Sequence, residues 1–400
     1  MGILLYDRFT SVVAMGFIVW SIGCTEVQMA ENNGLTQKRQ QIKTEIEDGK
    51  YKSLGGVMID GAGYLIQKIT FAKKSPAFWY SSLVFTLLTL LICALIAVVF
   101  GNANAGLSTK SSLIINISGY LGVLLGSLFA IAGASMHRKL LNVLKDHLLD
   151  TIESEADLND LRNWLVNTFN LRTEFFTSLI PTLLLFPPSI YLREVTSGES
   201  VGLAAYFVSV VAGFQAFTAL SVSLASFTLP YRLGRYQLKL FSIDPSSSEA
   251  IGSLSDVINN TIFLGAILLT LFSILAFFSN PLVVIIYLLP IPWGVIIAIF
   301  ASGHYAIART IYKAKRRILA SIQAQIEELQ QREEILSEET ISHINKLMDY
   351  HNRIRATRNS AIDILSIFSL LQSLLLPVIG LLMANLLNIL DFLSRFTPKK

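Results

Sequence analysis

Charge is scarce in this chain. Of 400 residues only 15% are Asp, Glu, Lys or Arg and 52% are hydrophobic, against a charged share of about 25% in soluble domains. That balance excludes an ordinary water-soluble domain and predicts an all-α polytopic membrane protein. Cysteine is nearly absent. Cys24 and Cys93 cannot build a disulfide framework, and Cys93 sits in an apolar run, where it reads as a small hydrophobe. The net charge of +4 is small and the bases cluster at the ends of apolar runs, which indicates membrane topology and no nucleic-acid partner.

Catalytic and metal-binding patterns are missing too. Neither His-Glu-x-x-His nor Gly-x-Ser-x-Gly occurs, and His137, His147, His304, His343 and His351 are scattered over interfacial or polar segments. His343 and His351 are two helical turns apart but lack the further ligands zinc requires. Gly61-Ala62-Gly63 is followed by no third glycine and no Gly-Lys-Ser/Thr, so a nucleotide loop is not expected. The acids Asp146, Asp150, Glu153, Glu155, Asp157 and Asp160 do not follow the calcium-loop spacing and read as a solvated helix face. No catalytic residue, cofactor or metal is expected, and the chain does not read as an enzyme.

Long apolar runs are what the chain has. Six qualify as membrane spans by length, 77–100, 113–135, 175–192, 201–229, 261–279 and 282–300. Their interiors hold no Asp, Glu, Lys, Arg or His, residues that proton relays and ion-coupled transporters place inside the membrane. Lys68, Lys73, Lys74, Arg138, Lys139, Arg232, Arg235 and Lys239 all fall on one side of the six, which makes that side cytoplasmic and gives three hairpins with short outer loops. A seventh run, 364–390, is split by Pro377 and either crosses or lies at the interface. The 13-residue apolar stretch 11–23 is short for a span and reads as a membrane-associated segment, a signal core or a non-native start.

Six regions result. Residues 1–35 are an ambiguous apolar segment and 36–76 a solvated cytoplasmic arm with a pre-membrane segment. Residues 77–301 are the membrane bundle, with a cytoplasmic amphipathic helical insert at 136–174. Residues 302–365 form a hairpin, and 366–400 a membrane or interfacial end. Asp244-Pro245-Ser246 is a turn feeding a short helix. The polar groups inside the runs are Asn116, Gln215, Asn385 and Asn388, suited to interhelical hydrogen bonds or, less simply, to a pore lining. Gly122 with Gly126, and Ala212 with Ala216, are small-residue steps that let helices approach. The prolines at 187, 188, 290 and 292 are expected to break or kink their helices.

The segment 302–365 organises the rest. It opens with a basic collar, Arg309, Lys313, Lys315, Arg316 and Arg317, suited to anionic lipid at a cytoplasmic interface. Ile311, Ile318, Ile322, Ile326 and Leu329 then recur at helical spacing. Ser337-Glu338-Glu339 has the chemistry of an N-cap with first-turn acids, so a second arm carrying Ile341, Ile344, Leu347 or Met348, and Ile354 folds back on the first. The spacing predicts an antiparallel coiled-coil pair with Ile322, Leu329 and Met348 at the contact. Two functions fit: an assembly or sensing protein that uses this hairpin to bind a protein partner or its own copies, or a channel or permease for a neutral or apolar solute. The expected location is a plasma or other cell membrane.

Overall fold

The computed structural model describes residues 34–70, 77–100, 109–197, 203–241, 244–279, 290–332 and 337–358. The expectations for 11–23, Lys73, Lys74, Asn385, Asn388 and the run 364–390 lie outside these residues. The described residues form ten α-helices and no strand. They are α1 (34–47), α2 (Leu54–Thr70), α3 (Phe78–Phe100), α4 (Thr109–Val143), α5 (Glu155–Thr168), α6 (Leu171–Ser197), α7 (Leu203–Leu233), α8 (Glu249–Ser279), α9 (Pro290–Arg332) and α10 (Glu338–Ala356).

Four helical stretches are long and apolar enough to cross a membrane: Phe78–Val99, Gly119–Thr151, Leu203–Leu233 and Glu249–Leu271. Their outer faces fit that environment. On α3, Leu83, Leu87, Leu91, Leu95 and Val98 are all exposed, a continuous apolar strip that water would not tolerate at this size. The run 175–192 falls in α6, and 282–300 is described only from Pro290; neither is among the four.

Within the bundle α4 packs chiefly on α7, α6 packs on α7 as well, and α8 packs on α4. Small residues make the α4–α7 contact close. A Cβ on Gly126 would lie 2.6 Å from the Ala212 carbonyl oxygen, and one on Gly133 2.7 Å from Ala219 Cα. The largest buried cluster, however, lies at the polar end. It joins Ile42 and Ile46 of α1, Leu140 and Leu144 from the end of α4, Leu161 and Leu165 of α5, Leu229 of α7, Leu254 of α8 and Ile311 of α9.

Several boundaries differ from the sequence reading. Helix α4 crosses residue 136 without a break and ends in a π turn, Leu144–Leu148, followed by a 3-10 turn, Leu149–Thr151. Leu144, Leu148 and Leu149 are buried, so the widened turn carries α4 into the core of the insert. Helix α6 continues through Pro181, Pro187 and Pro188, so of the break or kink expected at 187 and 188 there is no break. The Asp244 turn is present, its carboxylate accepting from the Ser246 N–H at 3.0 Å, and it feeds a short 3-10 helix, Pro245–Ser247, ahead of the 31-residue α8. Residues 36–52 are not a solvated arm: Ile42 and Tyr51 are fully buried and Ile46 nearly so.

Candidate functional site

The polar end of α9 is where the sequence placed the contact surface. Ile307, Ile311, Ala314 and Ile322 form its buried face. Lys315 stands on that stripe, four residues after Ile311 and seven before Ile322, and is 5% exposed. Burial of an ammonium is costly unless its donors are used. Lys315 Nζ donates to the Arg355 carbonyl at 2.9 Å and the Thr357 carbonyl at 2.8 Å. These are carbonyls at the C-terminal end of α10, which lack intrahelical donors and carry the negative end of the helix dipole. Lys315 therefore pins the end of α10 to α9. Lys313 Nζ donates to the Gly234 carbonyl at 2.7 Å, tying α9 to the end of α7. The five collar residues thus divide: two hold the fold, and Arg309, Arg316 and Arg317 are exposed.

Helix α10 begins at Ser337, whose Oγ accepts from the Thr340 N–H at 3.2 Å, the cap its sequence indicated. Ile344 and Ile354 are buried and α10 packs on α9. Of the residues expected at this contact, Ile322 is buried, Leu329 is half-buried and Met348 is 51% exposed. Leu347, beside Met348, lines an open cleft of about 910 Å³ between this pair and the insert. His147, Lys239, Ser248, Glu249, Arg317 and Tyr350 also face it, with His147 Nδ1 3.5 Å from Glu249 Oε1. Its charges are of both signs, and no group of three metal-ligating side chains occurs among the described residues.

The second expected set lies in the bundle. Gln215 is buried, accepting from Ser127 Oγ at 3.3 Å and donating through Nε2 to Thr89 Oγ1 at 3.2 Å. Both halves of its amide are used, and they join α7 to α4 and α3. Nearer the polar end, His304 Nε2 is 3.1 Å from Asn259 Oδ1, joining α9 to α8. Asn116 belongs to α4, its side chain outside the described set.

Sequence reasoning missed the groups that dock the insert. Arg162 of α5 grips Glu45 of α1 with two donors, at 2.9 and 2.6 Å, and Tyr51 Oη donates to the same carboxylate. The insert's acids are engaged as well: Asp150 takes Lys43 at 2.9 Å, and Asp160 takes Arg232 at 2.9 Å and the Tyr236 hydroxyl at 2.6 Å. The backbone pairs too, Glu153 N–H to the Gln237 carbonyl and Lys239 N–H to the Thr151 carbonyl. An acidic helix face read alone looks solvated; its cationic partners Lys43 and Arg232 lie 107 and 72 residues away in sequence.

Glu174, in the first turn of α6 ahead of its apolar run, is 1% exposed. One oxygen accepts the Leu54 N–H at the start of α2 and the other has no partner. Burial pushes its carboxyl up to about 7, against the opposing pull of that N–H. Between the ordinary value of 4.5 and about 7 the folded state binds more protons than the unfolded one, so stability falls as pH rises through this window. The unfolding free energy of the detergent-solubilised chain, and with it the denaturation midpoint, should therefore drop between pH 5 and 8, by roughly 2–3 kcal/mol for a shift of this size. Glu174→Gln should flatten the profile and raise the midpoint at pH 8. An unchanged slope in that variant would mean another group titrates.

Comparison with protein-family models, with curated proteins and with solved structures returns no match for this chain.

Proposed function

We propose that the chain is a membrane-anchored assembly or sensing protein. A bundle of six to seven membrane segments holds, on its cytoplasmic side, an antiparallel hairpin within 302–365 that takes a protein partner or a second copy. The observation that carries this reading is the contrast between the two candidate sites. At Gln215 the bundle interior is filled: both ends of the amide are bonded and the neighbouring helices touch backbone to backbone at Gly126 and Gly133. A solute path needs unoccupied polar groups there. Helix α10, in contrast, is held firmly at its inner face by Lys315, Ile344 and Ile354 and leaves Ile341 and Met348 uncovered, 46% and 51% exposed. Arg309, Arg316 and Arg317 are the collar bases left for anionic headgroups.

Photo-crosslinking residues placed at Ile341 and Met348 in the full chain, in native membranes, should give protein adducts of discrete mass. The same group at Leu95, on the lipid-facing strip of α3, should give none. Flux of glycerol into vesicles holding the purified chain, together with no protein adduct at either α10 position, would replace this reading with the permease.

A further inference from the structure

We infer that the partner taken by α10 is a second copy of this chain, its α10 laid antiparallel across the first. The inference rests on the proposed role of α10 as a contact surface and names what covers it.

Three features of the helix select this occupant. Its outward face repeats at alternating steps of three and four residues, Glu338, Ile341, Asn345, Met348, Asn352 and Arg355, all exposed. That is the seam of a two-helix contact, with two apolar residues flanking one central amide. Its charge is balanced but divided along the axis. Glu338 and Glu339 occupy the first turn and Arg353 and Arg355 the last, with Lys346 and Asp349 between them. None of the four terminal charges forms an ion pair among the described residues. An anionic bilayer would match only the basic end, and a basic or acidic peptide only one end. A helix of the same polarity, reversed, matches both: its arginines meet Glu338 and Glu339 while its glutamates meet Arg353 and Arg355.

The symmetry is self-consistent. Ile341 and Met348 stand four and three residues from Asn345, so a two-fold axis half a residue before Asn345 brings Ile341 of each copy toward Met348 of the other and leaves the two Asn345 amides close together. Residue by residue the contact is isologous, the commonest form of homodimer interface. A central polar residue in such a seam fixes register and orientation at some loss of stability. The stripe is short, about 26 Å at 1.5 Å per residue, and chains confined to one membrane supply the high effective concentration a short contact needs.

The acidic start and basic end also suit the dipole of α10 itself, and the test separates the two roles. In the full-length chain, Asn345→Cys should give a disulfide-linked dimer on mild oxidation. The double reversals Glu338→Arg with Glu339→Arg, and Arg353→Glu with Arg355→Glu, should each lower that dimer roughly tenfold or more, since attractive pairs become repulsive at both ends. Mixing the two reversed chains before oxidation should restore it as a heterodimer. Charges that serve only the helix dipole predict loss in both chains and no rescue on mixing, which would overturn the pairing. Adducts at Met348 that carry a different protein would also overturn it while leaving α10 as a contact surface. If Met348 gives no adduct and Asn345→Cys gives no dimer, both readings fall.

Discussion

Replacing Gly133 with alanine is expected to force α4 and α7 apart and to cost about 3 kcal/mol, the upper part of the range for overpacking a tight contact. The added carbon would lie 2.7 Å from Ala219 Cα and 2.9 Å from its Cβ, and neither can turn away as the end of a flexible side chain could. Gly126→Ala meets the Ala212 carbonyl at 2.6 Å and should behave alike. The two sites lie on one α4–α7 seam, so the double variant should fall short of additivity once the first substitution has opened it. Separation of the helices also lengthens the Ser127–Gln215 hydrogen bond, leaving a buried amide partly unpaired. Gly252→Ala on α8 is the control, because a Cβ there meets nothing within 4 Å. It should gain a few tenths to about 1 kcal/mol from backbone entropy. The measurement is the denaturation midpoint of the purified chain in detergent. If Gly133→Ala matches the parent, α4 and α7 do not approach as described.

Part of this seam was readable beforehand. Gly122 and Gly126 stand four apart, which is the spacing of close helix contact, and the seam does run through them. The α4 glycines along it meet Val208, Ala212 and Ala219 on α7, so Ala212 of the Ala212–Ala216 step stands on the seam, and spacing alone does not say which steps face one another. The Ser337 cap was legible for a local reason: one side chain and one N–H three residues on suffice. The collar shows where a local reading fails. Five bases within nine residues look like one patch, but a helix turns by 100° per residue and sends them to different faces. Lys315 falls on the stripe of Ile311, Ile318 and Ile322, so the signal of its burial was present in the periodicity. Its acceptors, forty residues on, were not. The end of the apolar run is a boundary of composition and not of structure. Hydropathy changes sharply after Phe300, yet α9, 43 residues long from Pro290 to Arg332, runs through that point without a break.

The least legible element is the docking of α1, and removing its anchor should have the second largest effect. Arg162→Met is expected to release α1 from the insert at a cost of about 3 kcal/mol, the lower end of what breaking a largely buried ion pair costs. The Glu45 and Arg162 side chains are 14% and 28% exposed, so the pair is only modestly screened, and its two-pronged geometry is the strong form of this contact. Arg162 holds the Glu45 carboxyl well below the usual carboxylate range, helped by Lys50 and Tyr51 against the opposing effect of burial. A group depressed in this way contributes its stability above the ordinary carboxylate value and loses it as pH falls toward the folded one. The parent should therefore lose protection of α1 progressively below about pH 4.5, and Arg162→Met should show that loss already at neutral pH. Hydrogen exchange over 34–47 and trypsin cleavage after Lys43 read this directly, since Lys43 is held by Asp150 only while α1 is docked. The variant Glu45→Gln with Arg162→Met removes both charges and should recover part of the loss, because most of the single-variant cost is the carboxylate left without its partner. Equal exchange in parent and Arg162→Met would mean that Ile42, Ile46 and Tyr51 hold α1 by apolar burial alone, and that the pair adds nothing to it.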